Sequence, residues 1–197
     1  MKQRISDARN YTRVYEKVTL ADFRKLVRSV EGDFALWSTI TRLIPCTHNY
    51  NITGSFIRKN YINPHDVFAC CWNMKRLDSI ERIPPKKYRQ FLKKFPPKVI
   101  GYETVLGKNV YVVIDGNHRI VRARSLKLRR VPAEVYGVIR PLHRVFNEAI
   151  IDDTGVWLRT KKGYVFKTRL EIDEYTYIHE IITLFNLRGI VVVTNLV

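Results

Sequence analysis

The chain has 197 residues, with little cysteine and little acid. Its cysteines are Cys46, Cys70 and Cys71, an odd number with two of them adjacent. That makes a poor disulfide framework and fits a reducing, cytoplasmic setting. There is no Cys-x-x-Cys pair and no cluster of histidines, so zinc-ligand spacing is missing. The three thiols therefore read as small core residues. His48, His65, His143 and His179 stand alone, and none has a second histidine at i+4; each reads as structural. No apolar run approaches the roughly 20 residues that cross a bilayer, so no membrane partner is expected. The longest apolar cluster, Ile190 to Val193, reads as a buried strand. Met1 to Asp7 is polar and lacks the apolar stretch of a secretory leader. The Asn51-Ile52-Thr53 sequon would go unused inside a cell. Neither a P-loop nor a Gly-x-Ser-x-Gly elbow appears.

What is present is ordinary apolar content and a large excess of base. Hydrophobic residues make up 46%, enough for a core without disulfides or metal. Lysine and arginine number 35 against 18 acids, a net charge of +17. The excess is local. Residues 75–144 hold 18 basic and 5 acidic side chains, a net +13, whereas residues 145–197 come to −1. A concentrated positive field points to a polyanion, and DNA is the favoured partner.

Periodicity gives the elements. Thr19 and Asp22 resemble a capping box ahead of a stripe at Leu20, Phe23, Leu26, Val27 and Val30. A second helix is expected from Asp33 to Ile44, stopped by Pro45. Residues 1–18 and 45–66 read as irregular, and 75–83 as a short extended segment. Pro84-Pro85 opens a helix with Tyr88, Phe91, Leu92 and Phe95 turned to the core. Lys86, Lys87, Arg89, Lys93 and Lys94 lie on its other side, placed to touch a phosphate backbone. Strands are expected at 98–105 and Val110–Ile114, a helix at about 117–127, and a strand at Val131–Val138. The middle third is thus β-β-α-β. A hairpin across Lys161-Lys162-Gly163, a helix from Asp173 to Leu187 carrying Tyr175, Ile178, Ile182 and Phe185, and a strand from Ile190 to Val197 complete the chain.

The chemistry gathers where a strand ends in Asp115-Gly116 and a helix opens at Asn117-His118-Arg119. First-turn N–H groups lack intrahelical partners, and the helix dipole adds positive charge. Gly116 lets the backbone bend and a ligand come close, which makes an anion site. His118 and Arg119 add donors, and Arg122 follows His118 by one turn. Arg124, Lys127, Arg129 and Arg130 extend the positive surface. Asp115 has three uses: ligand for Mg²⁺ or Mn²⁺ beside a phosphate, general base toward water, or helix cap. An arginine so near a helix start needs an anionic partner, either a ligand or an internal carboxylate.

Val112-Val113-Ile114-Asp115-Gly116-Asn117-His118-Arg119, followed by Ala123, Leu126 and Val131-Pro132-Ala133, resembles the signature of the ParB/sulfiredoxin superfamily over about residues 75–140. The resemblance implies a small α+β mixed-sheet core whose helix N-terminus holds nucleotide phosphates. A mainly helical extension (1–74) would precede it, and a hairpin-helix-strand addition (141–197) would pack on it. Members of the superfamily include sulfinic-acid reductases, CTP-using partition clamps, ParB-like nucleases and free-serine kinases. Asn117 stands where sulfiredoxins have cysteine, which argues against sulfinic-acid repair. Asn117-His118-Arg119 replaces the Glu-Arg-Arg of the clamps, and no helix-turn-helix domain follows. The kinase branch, with Asp-Gly-x-His-Arg, is the nearest local match; Asp115, Gly116, His118 and Arg119 carry over, and Glu81 and Glu103 are the candidates for its further carboxylate.

Three functions compete on this reading. The first is a metal-dependent nuclease, with Asp115 holding the metal or water and His118, Arg119 and Arg122 steadying phosphate charge. The second is a small-molecule kinase that grips ATP, ADP or CTP at the same turn. The third is a DNA-binding module without chemistry. Charge spread beyond the footprint of one nucleotide favours the first.

Overall fold

The computed structural model describes residues 12–43, 58–71, 73–139, 146–153, 155–168 and 176–194. Cys46, His48, the sequon at Asn51, His143, Tyr175 and the outer ends of the second helix, the last helix and the last strand lie outside the described residues. Among the described residues the elements run β1 (Thr12–Val14), α1 (Leu20–Gly32), α2 (Phe34–Leu43), β2 (Arg58–Ile62), a 3₁₀ turn (Pro64–Asp66), β3 (Val67–Phe68), α3 (Met74–Glu81) and α4 (Pro85–Lys94). Then follow β4 (Lys98–Glu103), β5 (Asn109–Asp115), α5 (Asn117–Ser125), β6 (Val131–Ile139), β7 (Phe146–Asp152), β8 (Gly155–Thr160), β9 (Val165–Lys167), α6 (Ile178–Leu187) and β10 (Val191–Thr194). The class is α+β, with two mixed five-stranded sheets of order β1-β10-β7-β8-β9 and β2-β6-β4-β5-β3. Among the described residues no helix is long and apolar enough to cross a membrane.

Local signals account for most of these elements. Thr19 caps α1 with a complete capping box: its hydroxyl accepts from the Asp22 N–H at 3.2 Å, and Asp22 accepts the Thr19 N–H at 2.8 Å. Gly163 supplies a left-handed turn (φ +83°) between β8 and β9, as the hairpin reading expects. Three segments depart from expectation. Residues 74–81 are a helix rather than extended, because Asn73 caps it by accepting the Arg76 N–H at 3.1 Å and Leu77 and Ile80 pack inward. Residues 58–62, read as loop, form a polar edge strand antiparallel to β6. Thr12–Val14, within the stretch read as irregular, pairs antiparallel with β10.

The two faces of the β2-β6-β4-β5-β3 sheet serve two cores. Phe68, Tyr102, Val110 and Val112 join α1, α2, α6 and the inner face of the other sheet. Val67, Val99, Val113 and Val131 pack instead against Tyr88 and Leu92 of α4 and Ile120, Val121 and Ala123 of α5. Alternation along β5 produces this split, since neighbouring residues of a strand point to opposite faces. Phe23, Tyr88 and Tyr102 are almost fully buried, each adding about 1.5–3 kcal/mol of apolar transfer. The second core holds both α4 and α5 on this face of the sheet, with α5 starting from the end of β5, where the Asp-Gly turn sits.

Candidate phosphate-binding cleft

The turn is built by one glycine and one arginine. Gly116 takes φ +103° and ψ 27°, a left-handed conformation costly for other residues. A Cβ placed there would lie 2.8 Å from Arg119 Nε, so the missing side chain is the space the guanidinium occupies. Arg119 donates from Nη2 to Asp115 Oδ2 at 2.7 Å and from Nη1 to the Phe95 and Pro96 carbonyls at 2.8 and 3.1 Å. Tyr88 Oη donates to the Arg119 carbonyl at 2.7 Å. The arginine therefore joins α5 to the C-terminal end of α4. Of the two partners expected for it, the internal carboxylate is the one found.

Asp115 does not cap the helix. Gly116 is the N-cap residue, and having no side chain it makes no side-chain cap bond. The Asp115 carboxylate is 58% exposed and pinned by Arg119. Asn117 points its amide oxygen at the Cys70 N–H, 3.0 Å away, and ties the segment after β3 to the helix start. His118 is buried. Burial pushes its imidazole below the usual pKa, a hydrogen bond with the Asn73 backbone works the other way, and Arg76 lowers it further. The net direction favours the neutral imidazole.

These groups open on a cleft of about 730 Å³. Asp115, Gly116, Asn117, His118 and Arg119 line it beside Ile114. Phe34 and Trp37 come from α2, Arg76 and Ile80 from α3, and Phe91 and Phe95 from α4 and its end. Phe34 and Trp37 stack at 5.7 Å with 24° between ring planes. Phe91 and Phe95 lie 5.3 Å apart. Phe34, Phe95 and Ile114 are half exposed, at 51%, 47% and 51%.

The other predicted residues divide. Lys86, Lys87, Arg89, Lys93, Lys94, Lys127, Arg129 and Arg130 are exposed. Arg124 is a correction: it is buried, paired with Glu31 of α1, and donates to the Pro64 carbonyl at 2.9 Å and to the Val67 carbonyl. Its place one turn after Ile120 was the available signal. Arg122 is a second correction, since it turns toward α3. It contacts Ser125 Oγ at 3.3 Å and Glu81 Oε1 at 3.7 Å and does not line the cleft. Phe95, expected in the core, leaves the helical stripe because α4 ends at Lys94 and the backbone turns out (φ −129°, ψ 71°). The reading missed Phe34, Trp37 and Arg76. The pair Phe34 and Trp37 at i, i+3, set off from the buried Leu36 and Ile40, was a signal for the first two; Arg76 sat in a segment misread as extended.

Among the described residues no three His, Cys, Asp or Glu side chains gather. Glu81 pairs with Arg122. Glu103 lies at the far end of the β4–β5 hairpin, opposite Asn109, while Asp115 lies opposite Lys98; five strand steps put them about 17 Å apart. Asp115 is left as a single carboxylate already in an ion pair.

No protein-family model matches the chain, and no curated protein matches it. The site therefore rests on its own geometry.

Proposed function

We propose that this protein binds nucleic acid, with a backbone phosphate at the N-terminus of α5 and the flanking strand along the basic outer side of α4. The observation that carries this reading is the first turn of α5, led in by Gly116 and opening into the cleft beside a helix whose Lys86, Lys87, Lys93 and Lys94 are exposed. First-turn N–H groups have no intrahelical partner, and with the helix dipole they favour a phosphate there. The lysines of α4 and Lys127, Arg129 and Arg130 add the salt-dependent, sequence-independent part of the affinity.

The reaction this arrangement supports is phosphodiester hydrolysis. Asp115 is the exposed carboxylate at the mouth, held in place by Arg119. It would take a proton from water as the water oxygen bonds to phosphorus; the ester P–O bond then breaks and the leaving alkoxide takes a proton from solvent. His118, buried and hydrogen-bonded to the Asn73 backbone, shapes the cleft floor. No step is assigned to a metal. A second reading, phosphoryl transfer from a free nucleotide, is favoured by the concavity of the cleft, whose volume suits one small ligand.

The test measures binding of DNA by fluorescence anisotropy across a salt series, and cleavage of plasmid and single-stranded DNA, for wild type and Asp115→Asn. Affinity that falls steeply with salt, together with cleavage lost in the variant, supports the proposal. Tight ATP or CTP binding without DNA binding would hand the turn to the second reading.

A further inference from the structure

We infer that the aromatic walls of the cleft hold one unpaired nucleobase, so that the ligand of this site is single-stranded nucleic acid rather than duplex. The inference rests on the phosphate reading of the α5 turn and names the kind of strand that turn receives.

Four rings line the cleft, two from α2 and two from the end of α4. Phe34 and Phe95 are about half exposed although they are large and apolar, and the rings of Phe34 and Trp37 already lie nearly parallel. Such surface left in water beside an anion site is a stacking platform, because every base offers a π-face. The volume of about 730 Å³ suits one nucleotide and excludes a double helix, whose bases stay inside the stack unless they are turned out. Charge agrees with the rings. Phe91 and Phe95 belong to the same stretch as the outward lysines, and Lys94 Nζ sits 5.4 Å from the Phe95 ring centroid. A strand whose phosphates follow those lysines would bring a neighbouring base within reach of Phe95. Buried inside a duplex, the same base would present only its edge to the groove.

The test uses the full chain and three fluorescein-labelled 12-nucleotide ligands at one salt concentration. They are a base-bearing single strand, an abasic strand of the same length, and a duplex. Wild type is compared with Phe34→Leu and Phe95→Leu, half-exposed positions where a change of ring to branched chain leaves the cores intact. The base-bearing strand should bind at least about tenfold more tightly than the abasic one, in keeping with the worth of a single stacked base. Each variant should lose most of that difference while its abasic affinity stays unchanged. A 2-aminopurine in the strand should lose fluorescence on binding wild type and keep it with the variants. Equal affinity for base-bearing and abasic strands, or duplex bound as tightly as single strand, overturns the inference and leaves the phosphate reading standing. If no strand binds, both fall.

Discussion

Helices α4 and α5 are neighbours of nearly equal length and both rich in base, yet they use their charge in opposite ways. The cations of α5 are spent inside the protein. Arg119 holds Asp115 and the end of α4, Arg122 leans on α3, and Arg124 is buried against Glu31 and two backbone carbonyls. Those of α4 face water. The residue types explain the split. A guanidinium is a planar fork able to satisfy several acceptors at once, so it suits interior joints. An ammonium on a flexible stem stays hydrated. Counting charge along the sequence therefore overstates the field at the α5 turn and understates how much of it belongs to α4.

Substitutions should separate the two helices, the largest effects falling on the interior side. Arg124→Met should cost about 3 kcal/mol of stability, since it strands the Pro64 and Val67 carbonyls and the partly buried Glu31. A urea midpoint equal to wild type would break the contrast. Arg119→Ala should cost about 1–2 kcal/mol in the same experiment and also weaken DNA binding, because α4 loses its tether to the turn. His118 gives a smaller, pH-dependent effect. Its pKa is lowered in the folded state, so below about pH 6.5 the unfolded chain takes up a proton that the folded one refuses. Stability falls as pH drops through that region and is level above it; His118→Gln should flatten this part of the profile. Smallest for the fold are Lys86→Gln and Lys93→Gln, each within about 0.5 kcal/mol in stability. Each should nonetheless reduce the slope of log affinity against log salt by about one.

Strong local signals made much of the fold legible from sequence. The apolar run at Val110–Ile114 broken by Asp-Gly, the Thr19 capping box and the Gly163 turn each needed only a few adjacent residues. Phe23, Leu26, Val27 and Val30 lie on the buried stripe expected of them. Segments whose structure comes from distant partners were not legible. Arg58–Ile62 is polar because it lies at a sheet edge, and only β6 makes it a strand. Met74–Glu81 is short, and its few apolar residues gain meaning only against the second core. At the site, Gly116, Arg119 and the need of Arg119 for an anionic partner were found by type, but the Phe95 and Pro96 carbonyls it also holds were not, since they lie 24 and 23 residues away. The cleft's far wall lay further still, in α2.

That wide spacing has a consequence for folding. Residues 34–37, 76–80, 91–95 and 114–119 share one cavity, so the cavity exists only once contacts far apart in the chain have formed. A piece holding the Asp-Gly turn alone would keep the motif without its walls. A ligand fitting this space would recognise the finished fold and ignore partly folded chains, and by mass action it would raise the unfolding free energy by RT ln(1 + [L]/Kd). The share of the unfolding signal that moves up on adding a short oligonucleotide would then count correctly assembled molecules in a preparation.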